Sequence, residues 1–159
     1  MINLIEILNN QFLFWSLIAC LTAQLLKIIF NLISEGELRF GIIFETGGMP
    51  SSHSALITGA TSGIGCDTGF DSPIFALSVC ISLIVMYDAS GVRRSAGIQA
   101  AQINKITKEI NNTSLITLKE NLGHSKVEVI VGAIIGPLIV LPGIVFLGSP
   151  GDILNLFIN

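Results

Sequence analysis

Two histidines, His53 and His124, are the side chains of this 159-residue chain best suited to move protons near neutral pH, and each stands in a short block of Gly, Ser and charge. In LGHSKVE, His124 and Glu128 are four residues apart. On a helix that spacing brings the carboxylate to the imidazole and holds the tautomer that leaves the far ring nitrogen free to act as a nucleophile. The same stretch reads S-x-x-E from Ser125 to Glu128, a helix capping box, and that reading stands beside the first. In GGMPSSHSA, Gly48 allows unusual backbone dihedrals and Ser51 or Ser52 can cap a helix beginning near His53, leaving backbone N–H groups to bind an anion. Capping alone accounts for the serines but not for the adjoining histidine.

Four cations accompany these blocks. Lys27, Arg39, Arg93 and Arg94 together balance a phosphate of about −2 charge, the guanidinium forks bidentately and Lys27 as a point charge. For Lys27, snorkelling toward lipid headgroups is the competing reading. Asp88, just before the arginine pair in YDASGVRR, is expected to hold Arg93 or Arg94 in place; a cation bound there would want three or four ligands that the cluster lacks. Lys119 is a further supporting base near His124.

The elements that must position these groups are membrane helices. The chain is 51% hydrophobic and only 12% charged, about half the charged share of an average soluble domain. Each crossing of a hydrocarbon core about 30 Å thick takes roughly 20 helical residues, so one polytopic all-α bundle of about four to six helices, a single domain over 1–159, is expected. A first span runs from Phe12 to Ile33, interrupted by Gln24 and Lys27. Residues 34–52 read as a re-entrant or interfacial loop. A short helix from His53 to about Gly65 is too rich in Gly, Ser, Thr and Ala to face lipid and suits the middle of the bundle. A third span opens at Pro73 and ends near Asp88. The last apolar run, Val127 to Leu147, contains Pro137 and Pro142 and is expected to kink or divide near them. The tail from Ser149 is short enough to lie at the interface.

Residues 92–126 carry six bases against two acids, the rest of the chain two bases against nine acids. The positive-inside rule therefore puts 92–126 in the cytoplasm, and alternation then brings Lys27, Arg39, both histidine blocks and the arginine pair to that same face. Ionisable groups at the edge of a bundle are functional candidates because burying them unpaired is costly. A net charge of −3 with no long basic tract excludes a nucleic-acid partner. Cys20, Cys66 and Cys80 have no metal-type spacing and read as small apolar residues. The N-terminal stretch lacks the features of a cleaved signal peptide. TGATSGIG, Thr58–Gly65, matches a dinucleotide-binding turn, but it follows P-S-S-H rather than a strand, and Tyr87 has no Lys four residues on.

The blocks GGMPSSHSA, YDASGVRR and LKENLGHSKVEVIVGAIIG, in that order over roughly residues 20–140, resemble the divergent branch of the type-2 phosphatidic acid phosphatase and vanadium haloperoxidase superfamily. Pro50, Ser51, Ser52 and His53 are similar to its P-S-G-H motif, and His124 with Glu128 to its H-x-x-x-D. The resemblance implies a phosphatidic acid phosphatase-like helical fold, His124 as the nucleophile that forms a phosphohistidine, Glu128 as its orienter and His53 as the general acid. It further implies phosphate binding by Lys27, Arg93, Arg94 and the backbone near Gly48 to Ser52, with no metal and no cofactor. Ser52 and Glu128 depart from Gly and Asp, the K-x-x-x-x-x-x-R-P motif is absent, and no Arg stands six residues before His124. A chain shorter than the usual six-helix core implies a reduced bundle or a homo-oligomer.

The expected function is hydrolysis of a phosphomonoester on a phospholipid headgroup at the cytoplasmic leaflet, phosphatidylglycerophosphate among the candidates. A non-catalytic membrane protein that binds or transports an anion or lipid with the same bases is the alternative. Vanadate-dependent halide oxidation is the third reading, and a small membrane bundle offers it no evident peroxide and halide pocket.

Overall fold

A computed structural model describes residues 4–36, 38, 41, 42, 47–110 and 117–158; Arg39 lies outside them. The described chain forms seven helices: α1 (Leu4–Leu8), α2 (Gln11–Glu35), α3 (Ser52–Thr68), α4 (Pro73–Ser90), α5 (Val92–Glu109), α6 (Lys126–Phe146) and α7 (Pro150–Ile158). Local chemistry sets the boundaries. Asn10, Ser51, Ser72 and Ser125 each accept a backbone N–H from the first turn of the helix they cap, and Pro73 opens α4, where its missing N–H costs nothing. Gly36, at φ 72°, ends α2 in the left-handed conformation that a glycine adopts without strain.

Helices α2 and α6 and the helical stretch Pro73–Glu109 are long and apolar enough to cross a membrane. The bundle is packed inside out relative to a soluble protein. Small residues fill its interior, among them Ala19, Ala23, Ala55, Ser16, Ser54, Thr61 and Ser82, while Leu17, Leu21, Leu25, Ile84, Ile130 and Leu138 point outward. Lipid solvates those outward chains as well as a core would, so association rests on close backbone approach. Helix α3 is central as expected, packing against α2, α4 and α6. At its crossing with α6, a Cβ on Gly132 would strike the Ser51 carbonyl and one on Gly136 the Ala55 carbonyl. The hydroxyls of the small-residue helices are satisfied internally, as where Thr61 meets Ser82 at 2.7 Å.

Helix α6 runs undivided through Pro137 and Pro142, so of the kink or division expected there, division does not occur. Membrane helices tolerate interior prolines where neighbouring helices support the freed carbonyls, and α3 lies against this stretch.

Hydrogen bonds between the ends of the helices fix the topology. The Ser51 N–H donates to the Glu128 carbonyl at 3.0 Å, and the His124 N–H to the Ala89 carbonyl at 2.8 Å. The starts of α3 and α6 and the end of α4 therefore meet at one end of the bundle. At the other end the Trp15 indole donates to the Gly148 carbonyl at 2.8 Å, and the Gly151 N–H to Asn9 Oδ1 at 2.7 Å.

Candidate functional site

His124 lies in the loop that leads into α6 and is 3% exposed. Its Nδ1 is 3.0 Å from Glu128 Oε2. The same carboxylate oxygen accepts the Ser125 N–H at 3.2 Å while Ser125 Oγ accepts the Glu128 N–H at 3.3 Å. The capping box is present and the imidazole does meet the carboxylate, but His124 stands before the cap, outside α6, so the contact is made through the capping turn and not along a helix face as expected: the capping box immobilises the carboxylate that bonds the imidazole. In the tautomer that donates Nδ1–H to Glu128, Nε2 carries the lone pair; it is buried with no side chain bonded to it, and the Gly48 backbone lies close enough to act on the ring. Burial holds the His124 imidazole below the ordinary histidine value, against the Glu128 hydrogen bond, which pulls it up. That direction favours the neutral ring.

Helix α5 braces this loop. Asn104 is buried; its Nδ2 donates to the Leu118 carbonyl (2.8 Å) and to Glu120 Oε1 (2.8 Å), and its Oδ1 accepts the Leu118 N–H (2.9 Å). Gly97 leaves room for the carbonyls of Glu120 and Leu122. Gly123, at φ 78°, sits against the backbone of Arg93 and Arg94, where a Cβ would collide. None of these three stood out in the sequence, because each acts on backbone that is distant along the chain.

A cavity of about 370 Å³ opens beside His124, lined by His124, Glu128, Asn31, Glu35, Arg94 and Glu120 together with Gly48 and the loop backbone. An adjoining cavity of about 260 Å³ is lined by Lys27, Asn31, Glu35, Gly48, Met49 and Glu128 among others. Lys27, 1% exposed, is held within the bundle rather than snorkelling to its surface. Gly48 has φ 87° and shares the walls of both cavities. The charge is mixed, with three carboxylates on the larger cavity, where the sequence suggested a chiefly basic site.

The remaining expected residues are placed as follows. Ser51 is the cap of α3, its Oγ taken by Ser54, and its own N–H is bonded to the Glu128 carbonyl, so that amide is not open to an anion. Ser52 is buried at the first position of α3. His53 follows it on the exposed side, within range of the charges of Arg93, His124, Lys27 and Asp88. Asp88 holds Arg93, Oδ2 to Nε 2.6 Å, as its place before the pair suggested. Arg94 lines the cavity, whereas Lys119 is exposed on the loop and lines neither cavity. Among the described residues no group of three or more His, Cys, Asp or Glu side chains converges as a metal cage.

The chain is 39% identical over 150 residues to the uncharacterized membrane protein YuiD of Bacillus subtilis (strain 168), an alignment that takes in 86% of this chain and 95% of that protein. No solved structure matches it. The model of the divergent PAP2 family matches residues 8–139, a region that holds the capped start of α3, the Asp88–Arg93 pair and the His124–Glu128 pair. The chain is an integral membrane helical bundle that belongs to the divergent PAP2 family.

Proposed function

We propose that this protein is a membrane lipid phosphatase that hydrolyses a phosphomonoester of a lipid headgroup through a phosphohistidine on His124. The observation that carries the reading is the buried imidazole bonded to Glu128 through Nδ1, with its unpartnered Nε2 beside a cavity that reaches the end of the bundle.

In the first step the Nε2 lone pair attacks phosphorus. The ester P–O bond breaks with its electron pair on the leaving oxygen, which takes a proton from the protonated form of His53, a form that desolvation and the charges of Arg93, His124 and Lys27 disfavour and that Asp88 and the substrate's own phosphate charge favour. Glu128 stabilises the positive charge that builds on His124, and Lys27 and Arg94 neutralise the phosphoryl oxygens, with Arg93 held ready by Asp88. In the second step water gives a proton to His53 and attacks phosphorus, the P–N bond breaks, and inorganic phosphate leaves. The starts of α3 and α6, side by side at this end, add the positive ends of their backbone dipoles to the anion's surroundings. The substrate comes from the bilayer itself, and the bias of bases to residues 92–126 favours the cytoplasmic leaflet.

Phosphate release from a panel of lipid phosphates in detergent, wild type beside His124→Ala and His53→Ala, tests the reading. Release that both substitutions abolish supports it, together with an acid-labile, base-stable phosphoryl adduct trapped on the wild type. Unchanged release in His124→Ala refutes it, and an anion-dependent melting shift lost in Arg94→Ala with no release from any lipid turns the reading to binding or transport.

A further inference from the structure

Asn31 is absent from the chemistry described so far. It stands in the last turns of α2 and is 6% exposed. Its Oδ1 is buried with no hydrogen-bond partner, and the side chain lines both the 370 Å³ and the 260 Å³ cavities. A buried amide oxygen left unpaired is costly, so Asn31 Oδ1 takes a hydrogen from whatever fills the cavities, water in their free state and a donor of the ligand when one is bound. The same larger cavity holds the other buried orphan of this end of the bundle, His124 Nε2.

The character of the walls says what the ligand must offer. Asn31 Oδ1 and the carboxylates of Glu35, Glu120 and Glu128 are acceptors, and Arg94 and Lys27 are the cations that face them across the two cavities. The phosphoryl group of a fully ionised phosphomonoester is acceptor-only: it pairs with the cations and brings no hydrogen to Asn31. A phosphate ester whose alcohol carries a hydroxyl close to the ester oxygen satisfies both sets at once.

We propose that Asn31 is a specificity-determining residue that accepts a hydrogen bond from a hydroxyl of the substrate's alcohol, so that the site selects phosphomonoesters of polyol headgroups over those of simple alcohols. The proposal rests on the phosphatase reading for its chemistry, but binding tests it separately. One net hydrogen bond, together with relief of the orphaned acceptor, corresponds to roughly a tenfold preference.

The test is calorimetric titration in detergent of His124→Gln protein, which cannot form the phosphohistidine, with glycerol 3-phosphate, propyl phosphate and 2-aminoethyl phosphate. Hydrolysis by the otherwise native protein of lipid phosphates with and without a headgroup hydroxyl is measured in parallel. The expected result is about tenfold tighter binding of glycerol 3-phosphate than of propyl phosphate, a ratio that falls to near one when Asn31→Leu is added and survives with Asn31→Asp, which keeps the acceptor. An unchanged ratio in Asn31→Leu overturns the proposal. So does loss of the preference in Asn31→Asp, whose added charge weakens both ligands alike but keeps the acceptor, and so does tightest binding of 2-aminoethyl phosphate, because the carboxylates would then be selecting an ammonium. Preserved discrimination without any hydrolysis sustains the role of Asn31 and refutes the phosphatase reading instead.

Discussion

Replacement of Asn104 by Ala removes three hydrogen bonds at once, to the Leu118 N–H, the Leu118 carbonyl and the Glu120 carboxylate. Leu118 and Glu120 are exposed, so water re-solvates the groups that are released, and each bond is worth the lower part of the usual net range of 0.5–1.5 kcal/mol. The loss is therefore about 2 kcal/mol, confined to residues 117–123, and it corresponds to a roughly 30-fold rise in the open population of that segment. The helices themselves are untouched, because Asn104 links α5 to a loop and to no other helix in these three bonds. Hydrogen exchange followed by mass spectrometry in detergent reads the effect directly: amides of 117–123 exchange up to about 30-fold faster in the variant, and those of α3 and α6 are unchanged. Lipid phosphate hydrolysis falls by no more than the same factor, in contrast to its abolition in His124→Ala. Asn104→Asp restores the bond from the Leu118 N–H but sets a second carboxylate beside Glu120, so it does not rescue. Unaltered exchange across 117–123 in Asn104→Ala would refute the idea that α5 braces the loop that carries His124.

Three further outcomes are expected. The acid limb of the rate profile set by His124 falls below the ordinary histidine value of about 6.5, and Glu128→Gln, which removes the interactions that raise it, moves that limb lower still while reducing the rate. The stability linkage has the same sense: the folded-state value is depressed, so the contribution is present above the unfolded value and is lost as pH falls from there through the folded one, a loss that urea unfolding at stepped pH measures in full in wild type and reduced in His124→Gln, where the likewise depressed His53 still contributes. Gly136→Ala drives a methyl group into the Ala55 carbonyl, Thr58 Oγ1 and the Gly59 N–H and costs about 1–3 kcal/mol of thermal stability in detergent, whereas Gly41→Ala, with open space around it, costs little. In Cys20→Ala/Cys80→Ala protein in intact cells, a membrane-impermeant maleimide labels the exposed Cys66 at the far end of α3 but not an added Lys119→Cys at the site end; the reverse pattern places the site outside.

The sequence by itself determined the class of molecule and the outline of its helices. Hydropathy and length marked the spans, Ser51, Pro73 and Gly36 punctuated them by local backbone chemistry, and the small residues of α3 announced a helix that other helices must surround. The pairs His124–Glu128 and Asp88–Arg93 were also legible, since partners four or five residues apart stay within reach across a helix boundary, the first at the capped start of α6 and the second at the junction of α4 and α5. Tertiary structure decided what no local pattern encodes. The passage of α6 through two prolines depends on α3 lying alongside it. The withdrawal of the Ser51 amide into a bond with Glu128, the bracing of the loop that carries His124 by Asn104, and the meeting of Asn31 and Glu35 with His124 around one cavity join residues that are 14 to 93 positions apart. Sequence spacing cannot carry such information, because helices that cross at one end of a bundle bring together side chains whose separation along the chain is set by the lengths of the helices between them.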